Sequence, residues 1–393
     1  MITQLVDAQF SKQLFGSYEQ YRFNGISSRR FKHAELLTHL ETIKRSLGEL
    51  VSVEKIGESA EHRSINLLKL GSGKTKIFLW SQMHGDEPTA TMALFDLLNY
   101  ISLNRNSAEV KMILSETTLL IIPMLNPDGA ERFQRRTSQG IDMNRDAMRL
   151  QTPEARILKE TRDRFDPEIG FNLHDQDPRY SVGDKGTVAV ISLLAPAYNV
   201  EKTDNSVRTR AKKVASELNL VLQQFAPDHI GKYDDTFEPR AFGDNIQKWG
   251  TSVVLIESGG WKDDPDKMFI RKLNCVGLLS VFSSIASKAY EKTGVMPYEN
   301  IPMNTKNLFD YIIEKVTVTF SDGRPSIIAD IAVNKEEVRD PTGSRWIGRV
   351  VDLGDLSVFS ANEKLNGSGR SVDASGVEMN DIVDLSDLMQ KFK

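Results

Sequence analysis

The chain has 393 residues, of which 40% are hydrophobic and 26% are charged, so it can build a large buried core and more than one domain. Positive and negative side chains are mixed and the formal net charge is −4, so we expect no nucleic-acid partner. The single cysteine, Cys275, excludes an intramolecular disulfide and a cysteine-based zinc site, and it fits a reducing compartment.

The first residues, MITQLVDAQFSKQLFG, lack the basic start and the unbroken apolar run that are typical of a signal peptide. No run of about 18 apolar residues follows, so we expect no membrane span and no membrane partner. These features predict a soluble, cytoplasmic protein.

Apolar runs alternate with helical patterns through most of the chain. Helical spacing at residues 31–46 precedes two strand-like segments, LVSVEKIG and RSINLLKLG. The predicted buried strands that follow are 76–80, 118–125, 168–173, 187–194 and 251–257, and the predicted helices are near 88–102, 153–165, 206–225 and 265–290. Thr152 and Pro153 form a good helix start. This alternation predicts an α/β domain whose largely parallel sheet is covered on both faces.

The pattern becomes β-rich from residue 305. The segment KVTVTFSDGRPSIIADIAV predicts a strand, a turn at Asp322-Gly323 and a second strand. We therefore predict three parts: a lead-in of helix and strand at 1–60, an α/β domain at 61–295, and a small β-rich module at 305–393.

Chemically active side chains follow the predicted strands. His84 and Glu87 come after strand 76–80, His174 comes after strand 168–173, and Glu257 ends strand 251–257. Since ligands in open α/β sheets bind beyond the carboxyl ends of the strands, we expect these groups to meet at one edge. His84, Glu87 and His174 make a His₂Glu set, which suits one zinc ion per chain with a fourth position open for water.

Glu257 is then placed to move protons between a water molecule and a leaving amine. Simpler interpretations remain for the separate motifs. Glu257 can be a strand-end residue in a salt bridge, and the HGDE segment at 84–87 can be an exposed turn before a helix. The four groups together favour the metal site.

Five motifs occur in a characteristic order over residues 75–260: HGDE, NPDG, GIDMNRD, the strand-end histidine of FNLHDQ and the late glutamate of VLIESGG. In this order they resemble the zinc carboxypeptidase family typified by carboxypeptidase A. The resemblance implies a doubly wound α/β/α sandwich with a mostly parallel mixed sheet, which makes 61–295 the catalytic domain. It also implies hydrolysis of a C-terminal peptide bond, with zinc held by His84, Glu87 and His174 and with Glu257 as the general base.

The loop between the first and second zinc-binding segments carries the other implied roles. Asn144 and Arg145 match the pair that grips the terminal carboxylate of the substrate. Asp142 matches the carboxylate that orients a zinc-binding histidine. Arg135 matches the arginine that polarises the scissile carbonyl, and its neighbour Arg136 is a second candidate.

Two features depart from the family pattern. The tyrosine usually found about 22 residues before the base has no clear counterpart, since Tyr233 is 24 residues upstream of Glu257 and the aligned positions hold Thr236 and Phe237. The segment Asp175-Gln176-Asp177 after the zinc-binding histidine is unusually acidic. Because of these departures, it stays open which terminal residue the enzyme removes from its substrate and whether Tyr233 has a role.

We expect the substrate to be a peptide or amino-acid amide with a free carboxylate, and an acidic or γ-linked terminal residue is one candidate. A first alternative is a zinc-dependent deacylase of N-acyl amino acids, similar to succinylglutamate desuccinylase and aspartoacylase. A second is a zinc-containing carboxylate-binding protein without turnover. The NPDG and GIDMNRD motifs favour the peptidase, and Glu257 and Arg135 count against mere binding. The oligomeric state is left open.

Side chains outside these motifs receive simpler interpretations. His33 and His39 lie on a polar helix, so we expect them to be solvated. Arg240, in FEPRAFGD, precedes the strand of Glu257 and is a candidate for lining the substrate pocket.

Overall fold

The computed structural model describes residues 8–340 and 343–392, and these form two compact units. The first unit contains the described residues up to Pro178 together with Ala189–Asn304. The second contains Arg179–Val188 and the described residues from Thr305 onward. The domain boundaries proposed from the sequence stay predictions.

Eight strands form the sheet of the first unit, and β6 belongs to the second unit. In chain order the strands are β1 (Val51–Glu58), β2 (Ser64–Leu70), β3 (Thr75–Ser81), β4 (Thr117–Ile122), β5 (Ile169–Asp175), β6 (Ser181–Val182), β7 (Ile191–Leu194), β8 (Ile230–Lys232) and β9 (Ser252–Ser258). The sheet has the order β1-β2-β4-β3-β5-β9-β7-β8. Strands β4, β3, β5 and β9 run parallel in its centre, whereas β2 and β7 are antiparallel to their inner neighbours.

The helices of the first unit are α1 (Ala8–Gly16), α2 (Tyr18–Tyr21), α3 (His33–Leu47), α4 (Thr89–Leu103), α5 (Ala108–Glu116), α6 (Pro127–Arg132), α7 (Pro153–Phe165), α8 (Ser206–Leu222), α9 (Phe242–Lys248), α10 (Met268–Ala286) and α11 (Met296–Glu299). Helix α7 begins as the sequence predicts, because the Thr152 side chain accepts a hydrogen bond from Ala155 N at 3.2 Å and Pro153 occupies the first position.

Helices cover both faces of this sheet. On one face, Trp80 of β3 and Val253 of β9 pack in one buried cluster with Leu158 of α7 and Phe242 of α9. On the other face, Phe171 of β5 meets Phe282 of α10 with ring centroids 5.9 Å apart. The predicted α/β class with a mixed, mostly parallel sheet is therefore confirmed.

Helix α10 is, among the described residues, the one that is long and apolar enough to cross a membrane by length and composition. Inside this unit it is an interior helix: 78% of its most apolar window is buried, and it contacts α4 and α8. Cys275 lies in α10 and is buried.

The second unit is a β-rich module. It contains β10 (Asn304–Thr305) in part, β11 (Leu308–Thr319), β12 (Ile327–Asp340), β13 (Gly343–Gly354), β14 (Ser360–Asn366), β15 (Ser371–Asp373), β16 (Ile382–Val383) and α12 (Leu385–Phe392). The strand order is β14-β11-β12-β13-β16, with β15 also paired to β11. Asp322-Gly323 lies in the turn between β11 and β12, so the predicted C-terminal β-rich module is confirmed.

The prediction that His33 is solvated is wrong. Its side chain is buried, and its Nε2 lies 2.9 Å from the Ser64 carbonyl oxygen on β2. His39 is only partly buried and packs edge-on against the rings of Phe23 and Phe95. The periodicity of α3 did not reveal these partners, because they lie outside the helix.

A buried ion pair joins α4, the helix that follows His84 and Glu87, to α10. Arg271 Nε donates to Asp96 Oδ2 at 2.7 Å, Arg271 Nη2 donates to Asp96 Oδ1 at 2.6 Å, and both side chains are 0% exposed. Tyr18 Oη donates to Asp96 Oδ2 at 2.5 Å, which ties the N-terminal segment to the same carboxylate.

We expect Arg271→Met to lower the free energy of unfolding by about 3–5 kcal/mol, because the change leaves Asp96 as an uncompensated buried charge. Chemical unfolding followed by tryptophan fluorescence measures this loss. The control is Arg324→Met, which removes an ion pair to Asp322 whose side chains are 64% and 54% exposed and which should cost less than about 1 kcal/mol. Similar losses in the two variants would contradict the prediction.

Candidate metal centre

The turn between β3 and α4 holds the first two predicted ligands. Glu87 N donates to the His84 carbonyl oxygen at 3.2 Å, which closes a tight turn just before α4 begins. A Cβ atom on Gly85 would lie 2.0 Å from the carbonyl carbon of Gly129, so only glycine allows this turn to pack against α6. The HGDE and NPDG motifs are thus halves of one packing contact.

The NPDG motif forms the start of α6. The Asn126 side chain accepts a hydrogen bond from Gly129 N at 2.9 Å, and Pro127 takes the first helical position. Asn126 N also donates to the carbonyl oxygen of Gln82 at 2.9 Å, just before the metal-site turn. This motif therefore supports the turn that carries His84 and Glu87.

Three donor atoms converge at the carboxyl ends of β3 and β5. His84 Nδ1 lies 2.8 Å from Glu87 Oε1, His174 Nδ1 lies 2.7 Å from Glu87 Oε2, and the two Nδ1 atoms are 3.2 Å apart. All three residues are buried, and their candidate ligand atoms lie within 4.8 Å of one another. Ligands about 2.0–2.1 Å from a tetrahedral zinc ion are about 3.3 Å apart. The predicted His₂Glu set is therefore assembled, and its chemistry and spacing fit zinc.

The charges of this cluster are strongly coupled. Burial alone would raise the pKa of Glu87, but the two histidines hold it well below its usual range. Burial alone would lower the pKa of His84, but Glu87 and Asp142 raise it to about 9. The pKa of His174 is lowered, mainly by burial. The site thus keeps an ionised carboxylate among imidazoles, and a bound cation would compete with protons for them.

Asp142 and Arg135 complete this edge of the site. Asp142 Oδ1 lies 3.2 Å from His84 Nε2, on the side of the imidazole opposite to Glu87. Arg135 Nε donates to Asp142 Oδ2 at 3.0 Å, and its Nη1 donates to Glu87 Oε1 at 3.2 Å. The predicted orienting carboxylate and the predicted arginine therefore both lie at the cluster. His174 Nε2, by contrast, has no hydrogen-bond partner among the described residues.

Glu257 lies beside the cluster because of strand register. Strands β5 and β9 are parallel, and Glu257 pairs directly with His174. Burial, and secondarily the Glu87 carboxylate, raise the pKa of Glu257 well above its ordinary value. The pKa values of Glu87 and Glu257 are thus shifted in opposite directions, so that Glu87 favours the ionised form and Glu257 the protonated form.

A buried ion pair braces the same two strands, and the sequence analysis missed it. Lys267 Nζ donates to Asp175 Oδ2 at 3.1 Å and to the carbonyl oxygen of Ser258 at 2.9 Å. Asp175 follows His174 on β5, and Ser258 follows Glu257 on β9. The acidic residue noticed after His174 therefore fixes the strand ends that carry the ligand and the base. The sequence signal was a lysine in the loop after ESGG.

Asn144 and Arg145 lie in a short turn after Asp142. Asn144 N donates to Asp142 Oδ1 at 3.0 Å, and Asn144 Oδ1 accepts from Phe242 N at 2.9 Å. The Arg145 side chain is 39% exposed, and its Nη1 donates to the Asn144 carbonyl oxygen at 2.7 Å. The turn is thus connected to the metal centre through Asp142 and to α9 through Asn144.

Glu238 is a partner of Arg145 that the sequence analysis did not identify. Its Oε2 lies 3.4 Å from Arg145 Nε, and its two oxygens accept from Arg240 Nε at 2.9 Å and Arg240 Nη2 at 2.8 Å. Hydrogen bonds from Arg240, and then the Arg145 charge, lower the pKa of Glu238 to about 2. A carboxylate of the chain itself therefore already contacts the predicted carboxylate-binding arginine.

A zinc carboxypeptidase sequence model matches residues 36–166. Carboxypeptidase 2 of Trichophyton tonsurans is 30% identical over 158 residues, which cover 40% of this chain and 28% of that protein. Residues 36–166 are therefore similar to a zinc carboxypeptidase domain. The matched segment spans less than a third of the curated relative.

The architecture is similar to that of solved structures. A metallo-carboxypeptidase from Burkholderia cenocepacia superposes with a TM-score of 0.53 at 15% identity, covering 66% of this chain and 70% of that chain. Bovine thrombin-activatable fibrinolysis inhibitor, in complex with tick carboxypeptidase inhibitor, superposes with a TM-score of 0.53 at 16% identity, covering 70% of this chain and 99% of that chain. At these identities the likeness concerns the fold.

We expect the purified protein to bind one zinc ion per chain and His174→Ala to lose it, because affinity depends on the complete ligand set. Elemental analysis after dialysis measures the metal content. The control is His229→Ala, which removes a histidine that packs against Trp261 and is not part of the cluster. Stoichiometric zinc in His174→Ala would refute the ligand assignment.

Proposed function

We propose that this chain is a zinc-dependent carboxypeptidase that hydrolyses the last peptide bond of a substrate with a free C-terminal carboxylate. The observation that carries the proposal is the position of Glu257. It lies directly across the strand pair from His174, and His174 shares one carboxylate with His84. A metal site alone requires the three ligands, whereas a buried glutamate with a raised pKa beside them is suited to proton transfer.

Zinc bound at this cluster would supply a Lewis acid and would lower the pKa of a bound water to about 7. Glu257 accepts the proton that the attacking water loses and donates it to the departing amine. Its raised pKa suits this role, because a carboxyl group that is too acidic would not keep the proton for the second transfer. Burial by the surrounding strand ends supplies that shift.

Arg135 stabilises the negative charge that develops on the carbonyl oxygen. Its guanidinium lies at the metal edge, where Asp142 and Glu87 hold it at 3.0 and 3.2 Å, and its side chain is 44% exposed. A cation held in this way needs little reorganisation when charge appears, which is the condition for electrostatic stabilisation of a transition state. Asp142 meanwhile keeps the His84 ring oriented.

Arg145, with Asn144, holds the terminal carboxylate. Arg145 presents a planar fork that pairs with a carboxylate through two hydrogen bonds. Glu238 occupies the Nε side of that fork at 3.4 Å but is held more closely by Arg240. A substrate carboxylate therefore replaces Glu238 on Arg145 while Glu238 keeps its bonds to Arg240. Recognition is thus an exchange of one carboxylate for another.

We expect Glu257→Gln to keep the fold and the zinc but to lower kcat by at least about 10²–10⁴-fold, because the amide cannot accept the proton of water. Release of the terminal residue from a peptide library, read by mass spectrometry with and without chelator, measures this loss. The control is Glu217→Gln, which alters a buried glutamate bonded to Ser284 on α10, remote from the ligands. Near-wild-type turnover in Glu257→Gln would mean that another group is the base.

We expect Arg145→Lys to lower kcat/KM by about 30-fold to several thousand-fold, because lysine cannot reproduce the paired contact with a carboxylate. A C-terminal amide should be a poor substrate for the wild type, and the amide should cause little further loss in Arg145→Lys. Kinetics on matched acid and amide peptides check both effects. The control is Arg149→Lys, four residues along the chain and exposed. Equal cleavage of acid and amide by the wild type would exclude a carboxypeptidase.

A further inference from the structure

The segment 238–242, which leads into α9, is bound to the turn of the proposed carboxylate receptor. Ala147 N donates to the Arg240 carbonyl oxygen at 3.1 Å, and Phe242 N donates to Asn144 Oδ1 at 2.9 Å. These two bonds lie on either side of the arginine that is proposed to hold the substrate. The backbone that carries the acidic partner of this arginine is therefore fixed in place.

Asp244, in the first turn of α9, is a buried carboxyl group that the proposed mechanism does not use. Its Oδ1 accepts a hydrogen bond from Glu238 N at 3.1 Å. Glu238 Oε2 in turn lies 3.4 Å from Arg145 Nε, and the Glu238 side chain accepts hydrogen bonds from Arg240 Nε and Nη2. Arg145, Glu238, Arg240 and Asp244 thus form one connected group, which we call the receptor cluster.

Charge balance links Asp244 to substrate binding. Glu238 stays ionised, because hydrogen bonds from Arg240, and then the Arg145 charge, lower its pKa to about 2. Without substrate, two guanidinium groups face two carboxylates when Asp244 is ionised. A substrate held by Arg145 adds a third carboxylate, and the cluster is then neutral only when Asp244 has taken up a proton. An unbalanced charge at a buried carboxyl group is costly, so we expect the two events to be coupled.

The elements packed around Asp244 supply few other charges. On α9 itself, Lys248 lies one turn further along and is exposed. Strand β9, which contacts α9, carries Glu257 as its charged residue, at the metal edge. The segment 195–200, which approaches α9 at Gly243, contains no acidic or basic residue. The receptor cluster therefore supplies the charges that act most directly on Asp244.

The surroundings of Asp244 place its proton exchange near neutral pH. Burial, with the Glu238 charge, raises the pKa of Asp244 to about 7, although the hydrogen bond from Glu238 N and the Arg145 charge act in the opposite direction. A carboxylate bound to Arg145 offsets the Arg145 charge, so the pKa of Asp244 should rise further when substrate is bound. Such a coupling is reciprocal, so protonation of Asp244 also strengthens substrate binding.

We propose that Asp244 is a positioning residue for the substrate: its neutral form lets Arg145 exchange Glu238 for the substrate carboxylate, and its ionised form opposes this exchange. The proposal rests on the proposed carboxypeptidase function and adds a regulation of its carboxylate receptor. Asp244 acts through Arg145 and not by contact with the substrate. The proton comes from water and returns to it when the product leaves, so substrate affinity falls as the pH rises through about 7.

The first test follows KM and kcat of peptide hydrolysis from about pH 6 to about pH 8. We expect KM of the wild type to rise by about 5–50-fold over this range, and KM of Asp244→Asn to stay low and nearly constant. Asparagine keeps an oxygen that accepts from Glu238 N but cannot ionise, so a merely structural role would preserve the pH dependence of KM. The pH dependence of kcat should be the same in both proteins. A wild-type KM profile in Asp244→Asn would overturn the proposal.

Glu217→Gln is the matched control for this substitution. Glu217 is likewise a carboxyl group whose pKa is raised by burial, but it bonds to Ser284 on α10, away from the receptor cluster. We expect this variant to keep the wild-type dependence of KM on pH. A constant KM in both variants would mean that the effect does not belong to Asp244.

Proton uptake separates this inference from the proposed function. Calorimetry on the zinc-loaded Glu257→Gln variant, in two buffers of different ionisation enthalpy, should show uptake of about half a proton at pH 7 when a blocked dipeptide with a free carboxylate binds. Its C-terminal amide, and the Glu257→Gln/Asp244→Asn variant, should show none.

The outcomes of this measurement differ for the two proposals. Binding of the acid without proton uptake would refute the role of Asp244, whatever the turnover. A wild type without turnover would refute the carboxypeptidase and leave the proton measurement valid. An acid that binds no more tightly than its amide would refute both.

Discussion

The parallel register of β3, β5 and β9 is the constraint on which the site depends. Because these strands end at the same edge, the turn after β3 brings His84 and Glu87 to His174, and the β5–β9 pairing sets Glu257 opposite His174. A shift of one residue would move a side chain to the other face. The Lys267 bridge between the ends of β5 and β9 holds that register where the chemistry is proposed to occur.

The protonation states of the two glutamates follow from this arrangement. The same edge of the sheet favours the ionised form of Glu87 and the protonated form of Glu257. Glu87 is surrounded by imidazoles, and Arg135 adds a hydrogen bond, so its ionised form is favoured in spite of burial. Glu257 lies within the field of Glu87, and both burial and that negative charge favour its protonated form. A ligand carboxylate and a proton-transfer carboxylate thus differ in their surroundings and not in residue type.

The sequence predicts what depends on local pattern, and it misses what depends on partners distant in the chain. Strand runs and the Thr152 cap follow from periodicity and local hydrogen bonding, and the order of the motifs points to the ligands that the fold assembles. The contact of Glu238 with Arg145, the Lys267–Asp175 bridge and the burial of His33 join segments far apart in the chain. No periodicity encodes such pairs, so only the fold reveals them.

The period of two along β5 and β9 also determines which residues lie beneath the reactive groups. His174 and Glu257 lie one residue before the ends of the two strands, and the next pair inward on the same face is Asn172 and Leu255. The face beneath the metal edge therefore carries one polar and one apolar position, and both are buried. Helix α9 closes that face, and its first residue is bonded to Asn144. The turn that is proposed to hold the carboxylate is thus bonded to the helix that closes this face, so one hydrogen bond couples carboxylate binding to the packing of the strands that carry His174 and Glu257.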